Sequence, residues 1–150
     1  MCAGIGLAYI GSLSASSRAS SAESFASQAT RTIWDGVYTS GQADRGRKIF
    51  SQFCGACHAD DLGGTEDGPS LKNAAFLAQR RSRTLADFLT EVMKIMPLGA
   101  PGSLSLAEYV DITSYILRMN AIPGGNTELP PSLEKLDQTL ITDTPVPPPF

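Results

Sequence analysis

The pentapeptide Cys54-Gly55-Ala56-Cys57-His58 constrains this chain more than any other feature of its sequence. The C-x-x-C-H pattern is typical of covalent haem c attachment. Two thiols at this spacing can add to the two vinyl groups of one porphyrin, and the adjacent His58 then offers a neutral imidazole nitrogen to the iron. The pattern therefore predicts one haem c, bound through thioethers from Cys54 and Cys57 and ligated by His58.

Other interpretations of the same residues remain open at this stage. A zinc site needs four ligands, usually Cys and His, and outside the pentapeptide the chain has no further His and only Cys2. A thioredoxin-like dithiol needs a βαβ context, which the sequence does not predict. The two cysteines could also form a structural disulfide, or the pattern could have arisen by chance.

The second axial ligand has to be something other than histidine, because the chain has a single His. Met93, Met96 and Met119 are the candidates, since Met1 lies too far away in the sequence. Met96 precedes Pro97 in a loop just past a predicted helix, where the thioether can turn inward and the proline stiffens the backbone. We therefore expect Met96 to ligate the iron, with Met93 or an open position as the alternatives. Met119 fits a core methionine better.

The composition fits one soluble globular domain. Of the 150 residues, 42% are hydrophobic and 18% are charged, and the mean hydropathy is -0.04. These values argue against a disordered chain and an integral membrane bundle. The net charge of -3 excludes the strongly basic surface of a nucleic-acid binder.

Three segments differ in composition. The apolar run of residues 2–13 has the length of a secretory signal core and is too short to span a bilayer. Residues 1–32 are therefore predicted to be a signal peptide and linker, and the protein to be exported to the periplasm. A disordered leader is the alternative, because no Lys or Arg follows Met1 at once.

Residues 33–122 are the predicted domain. Residues 123–150 are rich in Pro, and we expect this tail to be extended or disordered and to form no regular core.

The spacing of apolar residues predicts an all-α fold. One helical pattern covers residues 42–53, and a short one covers residues 74–81. Two longer helices are predicted to begin at capping boxes, Thr84-Leu85-Ala86-Asp87 and Ser105-Leu106-Ala107-Glu108. No stretch shows the alternation typical of a strand.

Further signals occur in the order and spacing of a known family. Gly46 and Phe50 lie in the first helix and Tyr115 in the last, Gly68-Pro69-Ser70-Leu71 follows the pentapeptide, and Met96-Pro97 follows the third helical pattern. Over about residues 41–122 the chain resembles class I cytochromes c. The resemblance implies several short helices wrapped round one haem, with Gly46 at a close helix crossing. It also implies that the Pro69 carbonyl accepts the second N–H of His58, and that Met96 is the axial methionine.

A narrower resemblance concerns the partners. Trp34-Asp35-Gly36-Val37-Tyr38-Thr39, Arg45-Gly46 and Pro101-Gly102-Ser103-Leu104-Ser105 resemble segments of small periplasmic cytochromes found beside quinoprotein (PQQ) dehydrogenases or fused to them. Such a dehydrogenase is the implied electron donor, and a terminal oxidase or another cytochrome the implied acceptor. These relatives often have Trp where this chain has Arg80. Arg80 could pair with a haem propionate, or could belong with Arg81 and Arg83 to a solvated basic face.

These expectations describe an electron-transfer protein with no catalytic residues, and not an enzyme. It would be a one-electron carrier that docks briefly on its redox partners, as a monomer or as a dehydrogenase subunit, without nucleic acid and without a stable membrane span. One alternative is a five-coordinate haem sensor or peroxidatic enzyme, which requires Met96 to be absent from the iron. Another is a permanent cytochrome subunit of a dehydrogenase complex, tethered by the Pro-rich tail.

Overall fold

A computed structural model of the chain describes Met1 and residues 31–145. The apolar core of the predicted secretory signal, residues 2–13, lies outside the described residues. The described helices are α1 Ser40–Phe53, α2 Gly55–His58, α3 Ala74–Ala78, α4 Leu85–Ile95, α5 Leu106–Met119 and α6 Leu133–Leu136; two short strands are β1 Arg31–Thr32 and β2 Thr139–Leu140. This mostly helical structure confirms the predicted all-α class.

Both predicted capping boxes are present and begin the helices at the expected residues. The Asp87 N–H donates to Thr84 Oγ1 over 3.1 Å, and the Thr84 N–H donates back to the Asp87 carboxylate over 3.3 Å. At α5, Ser105 and Glu108 form the same reciprocal pair. Each box satisfies backbone donors that a helix leaves free at its first turn. The starts of α4 and α5 are thus determined by local sequence.

The helices α1 and α5 cross at Gly46. A Cβ atom at this position would overlap the backbone carbonyl of Asp111 and lie 2.9 Å from the Ile112 nitrogen. One turn further along α1, the Phe50 ring meets the Tyr115 ring edge to face, with centroids 5.5 Å apart. The close crossing implied by the resemblance is therefore observed, and it requires glycine because any side chain would enter the α5 backbone.

The expectation that the Pro-rich tail forms no core is wrong for residues 123–145. Leu129, Leu136 and Ile141 are buried, with 1%, 0% and 4% of their surface exposed. These apolar residues are isolated between prolines and polar residues, so they show no periodicity that would predict burial. All three join the hydrophobic core that the helices form, and this packing depends on the tertiary structure.

Residues 31–32 also belong to the folded unit and not to a linker. Strand β1 pairs in parallel with β2, with Arg31 opposite Thr139 and Thr32 opposite Leu140. The Trp34 indole N–H donates to the Thr142 carbonyl over 3.2 Å, which adds a side-chain contact to this pairing. The folded unit therefore includes residues 31–32 and 123–145 as well as the predicted range of 33–122.

The tail packs on two helices of the core. α6 and β2 lie against α4, and the buried Gln42 side chain of α1 bonds to both backbone groups of Leu129, donating over 2.9 Å and accepting over 2.8 Å. A buried amide satisfied in this way is a specific contact and not a loose association. Within residues 31–145, no helix is long and apolar enough to cross a membrane.

Candidate cofactor site

A cavity of about 240 Å³ lies between the end of α1, α2, α4 and α5. Its walls are largely apolar, and the apolar lining side chains from the helices include Phe50, Phe88, Leu89, Val92, Ile112 and Ile116. The pentapeptide residues Cys54, Cys57 and His58 line it, and so does Met96. The fold thus gathers the predicted site residues at one apolar cavity, although 38 positions separate His58 from Met96 in the sequence.

The two cysteines belong to a single helical turn. Cys54 is the residue that follows α1, and the amides of Cys57 and His58 both donate to the Cys54 carbonyl, over 3.2 and 3.0 Å. Residues three apart on a helical turn lie on the same side, so both thiols line the cavity. Burial, together with repulsion from Cys57, raises the pKa of the Cys54 thiol to about 11. A dithiol oxidoreductase needs a lowered thiol pKa, so this observation argues against the thioredoxin-like alternative.

His58 is buried and held in one orientation. Its Nδ1 lies 2.8 Å from the Pro69 carbonyl oxygen, and because a carbonyl only accepts, Nδ1–H is the donor. The proton on Nδ1 leaves the lone pair of a neutral imidazole on Nε2, which is then free to ligate a metal. This is the contact that the resemblance implied for Pro69.

Gly68 allows the Pro69 loop to approach the pentapeptide. A Cβ atom at Gly68 would lie 2.7 Å from the Cys57 carbonyl oxygen and 3.1 Å from the Cys57 Cβ. Real Cβ atoms do not pack so closely against backbone. The glycine therefore sets the distance at which the Pro69 carbonyl can reach the His58 ring.

Met96 caps the C-terminal end of α4, and its backbone is held from α5. The Tyr109 hydroxyl donates to the Met96 carbonyl over 2.7 Å, and the Gly102 N–H donates to the same oxygen over 3.2 Å. Of the three candidate methionines, Met96 is the one that lines the cavity. Met93 packs against the hydrophobic core, and Met119 lines a separate surface depression beside α1.

The three arginines after α3 differ in environment. Arg81 is exposed and pairs with Asp143 at 3.1 Å, whereas Arg80 is half-buried and lines the cavity. The solvated-face interpretation therefore suits Arg81 and is wrong for Arg80. No local pattern distinguishes the two, because the difference comes from Phe76 and Phe88, whose rings pack beneath the Arg80 guanidinium.

The rim of the cavity consists of exposed apolar residues that the sequence pattern did not indicate. Phe53, Ile95 and Leu98 line it and keep 48%, 50% and 78% of their surface exposed. Ile95 and Leu98 flank the Met96-Pro97 pair directly, which is the one sequence signal that could have identified them. Exposed apolar side chains gathered at one opening are typical of a contact surface.

The donor set fits a haem c better than it fits a bare metal ion. Two thiols on one turn, an imidazole with a free Nε2 and a methionine thioether suit a covalently held iron porphyrin, and the apolar walls suit its macrocycle. Within residues 31–145 no group of three or more His, Cys, Asp and Glu side chains could hold a metal ion. A tetrahedral zinc site therefore has no support in the described chain.

The comparisons with known proteins agree with this chemistry. The family described as cytochrome C oxidase, cbb3-type, subunit III, matches residues 41–116. The crystal structure of the sulfane dehydrogenase SoxCD from Paracoccus pantotrophus contains a chain of similar fold, with a TM-score of 0.50 and 20% sequence identity. The alignment covers 83% of this chain and 66% of that one, so this chain spans slightly less than two thirds of its length. No curated protein matches the sequence.

The family match begins in α1 and ends in α5, so it contains the pentapeptide, the Pro69 loop and Met96. It covers half of the chain, and the likeness to the SoxCD chain extends the agreement to the fold. This protein accordingly belongs to that family of c-type cytochrome domains: it is a class I cytochrome c that binds haem c covalently and transfers electrons.

Proposed function

We propose that the protein is a one-electron carrier in which Cys54 and Cys57 would form the two thioethers of haem c and His58 and Met96 would ligate its iron. Haem c, when bound, supplies a reversible Fe(III)/Fe(II) couple. The observation that carries the proposal is that His58 and Met96 line the same cavity, each held by hydrogen bonds at 2.7–2.8 Å. With His58 and Met96 both bound, the iron would have no position left for a substrate, so the carrier would need no acid, base or nucleophile from this chain.

The residues around the two ligands adjust the reduction potential. The Pro69 carbonyl accepts a hydrogen bond from the Nδ1–H of His58. This bond orients the ring and increases the basicity of Nε2. Methionine sulfur stabilises ferrous iron, which raises the potential relative to bis-histidine ligation. The apolar walls formed by α4 and α5 keep water away from the cofactor, and this further controls the potential.

The exposed rim supports transient docking of redox partners. Phe53, Ile95 and Leu98 surround the opening with apolar surface, so a partner that covers them would come close to the cofactor. A contact centred on three side chains would be small, and small interfaces are typical of weak and short-lived redox complexes. The proposed donor is a dehydrogenase, of the quinoprotein class by the resemblance of the flanking segments. The acceptor is a terminal oxidase or another cytochrome, and the proposed location is the periplasm.

The axial ligand is tested with holoprotein made in cells that attach haem c. Methionine sulfur on ferric haem gives a weak charge-transfer band in the far red. We expect this band in the unmodified protein and its loss in Met96→Ala. The matched controls Met93→Ala and Met119→Ala should keep it, because neither side chain lines the cavity.

Carbon monoxide binding tests whether the iron has an open coordination position. The reduced unmodified protein should bind CO slowly, and Met96→Ala should bind it rapidly. A far-red band that survives in Met96→Ala, or fast CO binding by the unmodified protein, would instead favour a five-coordinate haem sensor or peroxidatic enzyme.

A further inference from the structure

One face of α5 forms a wall of the cavity, and its lining residues follow helical spacing: Tyr109, Ile112, Thr113 and Ile116. Such a wall is expected to be apolar, yet Thr113 carries a hydroxyl and has only 2% of its surface exposed. A buried hydroxyl is costly unless it forms a hydrogen bond, and valine has almost the same shape without the hydroxyl. Packing in the wall therefore gives no reason for threonine at this position.

The Thr113 hydroxyl is held in one direction. Its O–H donates to the Tyr109 carbonyl over 2.8 Å, one turn earlier in the same helix. Because the O–H bond points at the helix backbone, the lone pairs of Oγ1 point away from the backbone, towards the cavity that Thr113 lines. No group among residues 31–145 donates a hydrogen bond to this oxygen. The wall therefore presents the negative end of an oriented dipole to the cavity.

Ser114 provides a comparison within the same helix. It is fully buried, and its hydroxyl also donates to a carbonyl one turn earlier, that of Val110, over 3.0 Å. The difference between the two hydroxyls is their position, because Thr113 is among the residues that line the cavity and Ser114 is not. A role that requires the cofactor is therefore possible for Thr113 and not for Ser114.

We propose that the Thr113 hydroxyl is a determinant of the reduction potential and keeps this potential lower than an entirely apolar α5 wall would. The inference rests on the proposed function, in which the cavity holds haem c. Ferric haem carries one more positive charge than ferrous haem, so a dipole with its negative end towards the cofactor stabilises the ferric state more. Inside an apolar wall such a dipole is screened less than in water. Removal of the hydroxyl therefore favours reduction.

The test is a redox titration of holoproteins at one pH and one ionic strength, with Thr113→Val compared with Ser114→Ala. Thr113→Val should raise the equilibrium constant for reduction about fivefold, the effect of about one neutral hydrogen bond. Ser114→Ala should match the unmodified protein. The charged lining residues Asp67, Arg80 and Glu91 are the same in every variant, so they do not contribute to the difference. An unchanged or lower constant in Thr113→Val, or an equal rise in Ser114→Ala, would overturn the inference.

Urea unfolding of both oxidation states separates this effect from a structural one. In Thr113→Val the ferric holoprotein should lose more stability than the ferrous holoprotein, by the same factor as the change in the reduction equilibrium. A purely structural hydroxyl would stabilise both states equally, and that result would refute the proposal. The affinity for external imidazole should stay unchanged. A rise in that affinity would instead assign the effect to a looser Met96 and would also refute the proposal.

A second pair of variants keeps the inference testable if Thr113→Val yields no folded holoprotein. Thr113→Ser and Thr113→Ala differ from each other by one hydroxyl, and the serine can keep the bond to the Tyr109 carbonyl. The equilibrium constant for reduction should therefore stay near the unmodified value in Thr113→Ser and rise in Thr113→Ala, whereas equal constants would contradict the inference. A failure of the proposed function is recognised separately, as an unmodified protein that lacks covalently bound haem or the far-red methionine band.

Discussion

At the scale of single residues, Tyr109 controls how firmly Met96 is held. Its hydroxyl donates to the Met96 carbonyl over 2.7 Å, and its ring is buried in α5. Tyr109→Phe removes one hydrogen bond of about 1 kcal/mol, so external imidazole should displace the methionine about fivefold more readily. The measurement is a spectroscopic titration of the ferric protein with imidazole. The prediction would be wrong if Tyr38→Phe, which loses an equally short bond to the Ile122 carbonyl, raised the imidazole affinity as much.

The site residues differ in how well the sequence alone predicts them. Cys54, Cys57 and His58 could be predicted because one short peptide contains the whole pattern. Met96 required a choice among three methionines, which its proline neighbour guided and the cavity lining supports. Arg80 could not be distinguished from Arg81, since its burial arises from rings that reach it only in the folded chain.

At the scale of elements, the α1–α5 crossing is the contact most sensitive to an added methyl group. Gly46→Ala would force its Cβ into the Asp111 carbonyl, so the helices must separate, at a cost of about 1–3 kcal/mol or more. Gly41→Ala is the matched control in the same helix, because its nearest neighbour would lie 4.0 Å away. It should leave stability unchanged or raise it by up to about 1 kcal/mol. Urea unfolding of both holoproteins measures the difference, and equal midpoints would contradict the crossing.

The elements themselves were predictable where local signals determine them. Capping residues mark the starts of α4 and α5, and apolar spacing identifies α1. The two short strands gave no such signal, because β1 and β2 have two residues each and pair across more than a hundred positions of sequence. Their pairing depends on the tertiary structure that brings the two segments together.

At the scale of the whole molecule, the tail packs against α4, the helix that is followed directly by Met96. α6 and β2 lie on α4, and the Ile141 N–H donates to the Arg83 carbonyl over 2.8 Å. Residues 123–145 therefore support the cofactor domain itself. The tail also contacts the segment just after Arg80, since the Ser82 N–H donates to the Ile141 carbonyl over 3.1 Å and Arg81 pairs with Asp143.

Two leucines of α6 allow this role to be tested without removing the tail. Leu136 is fully buried, whereas Leu133, one turn earlier, is 39% exposed. Leu136→Ala opens a cavity beside α4 and should cost about 2–5 kcal/mol of unfolding free energy, whereas Leu133→Ala should cost less than about 1 kcal/mol.

Because Met96 directly follows α4, Leu136→Ala should also lower the temperature at which the far-red methionine band disappears. Thermal scans of both holoproteins, followed at that band and at the far-ultraviolet helix signal, measure the two effects. If both variants melted together with the unmodified protein, the tail would lie on the domain without stabilising it, and the burial of Leu136 would have no energetic consequence.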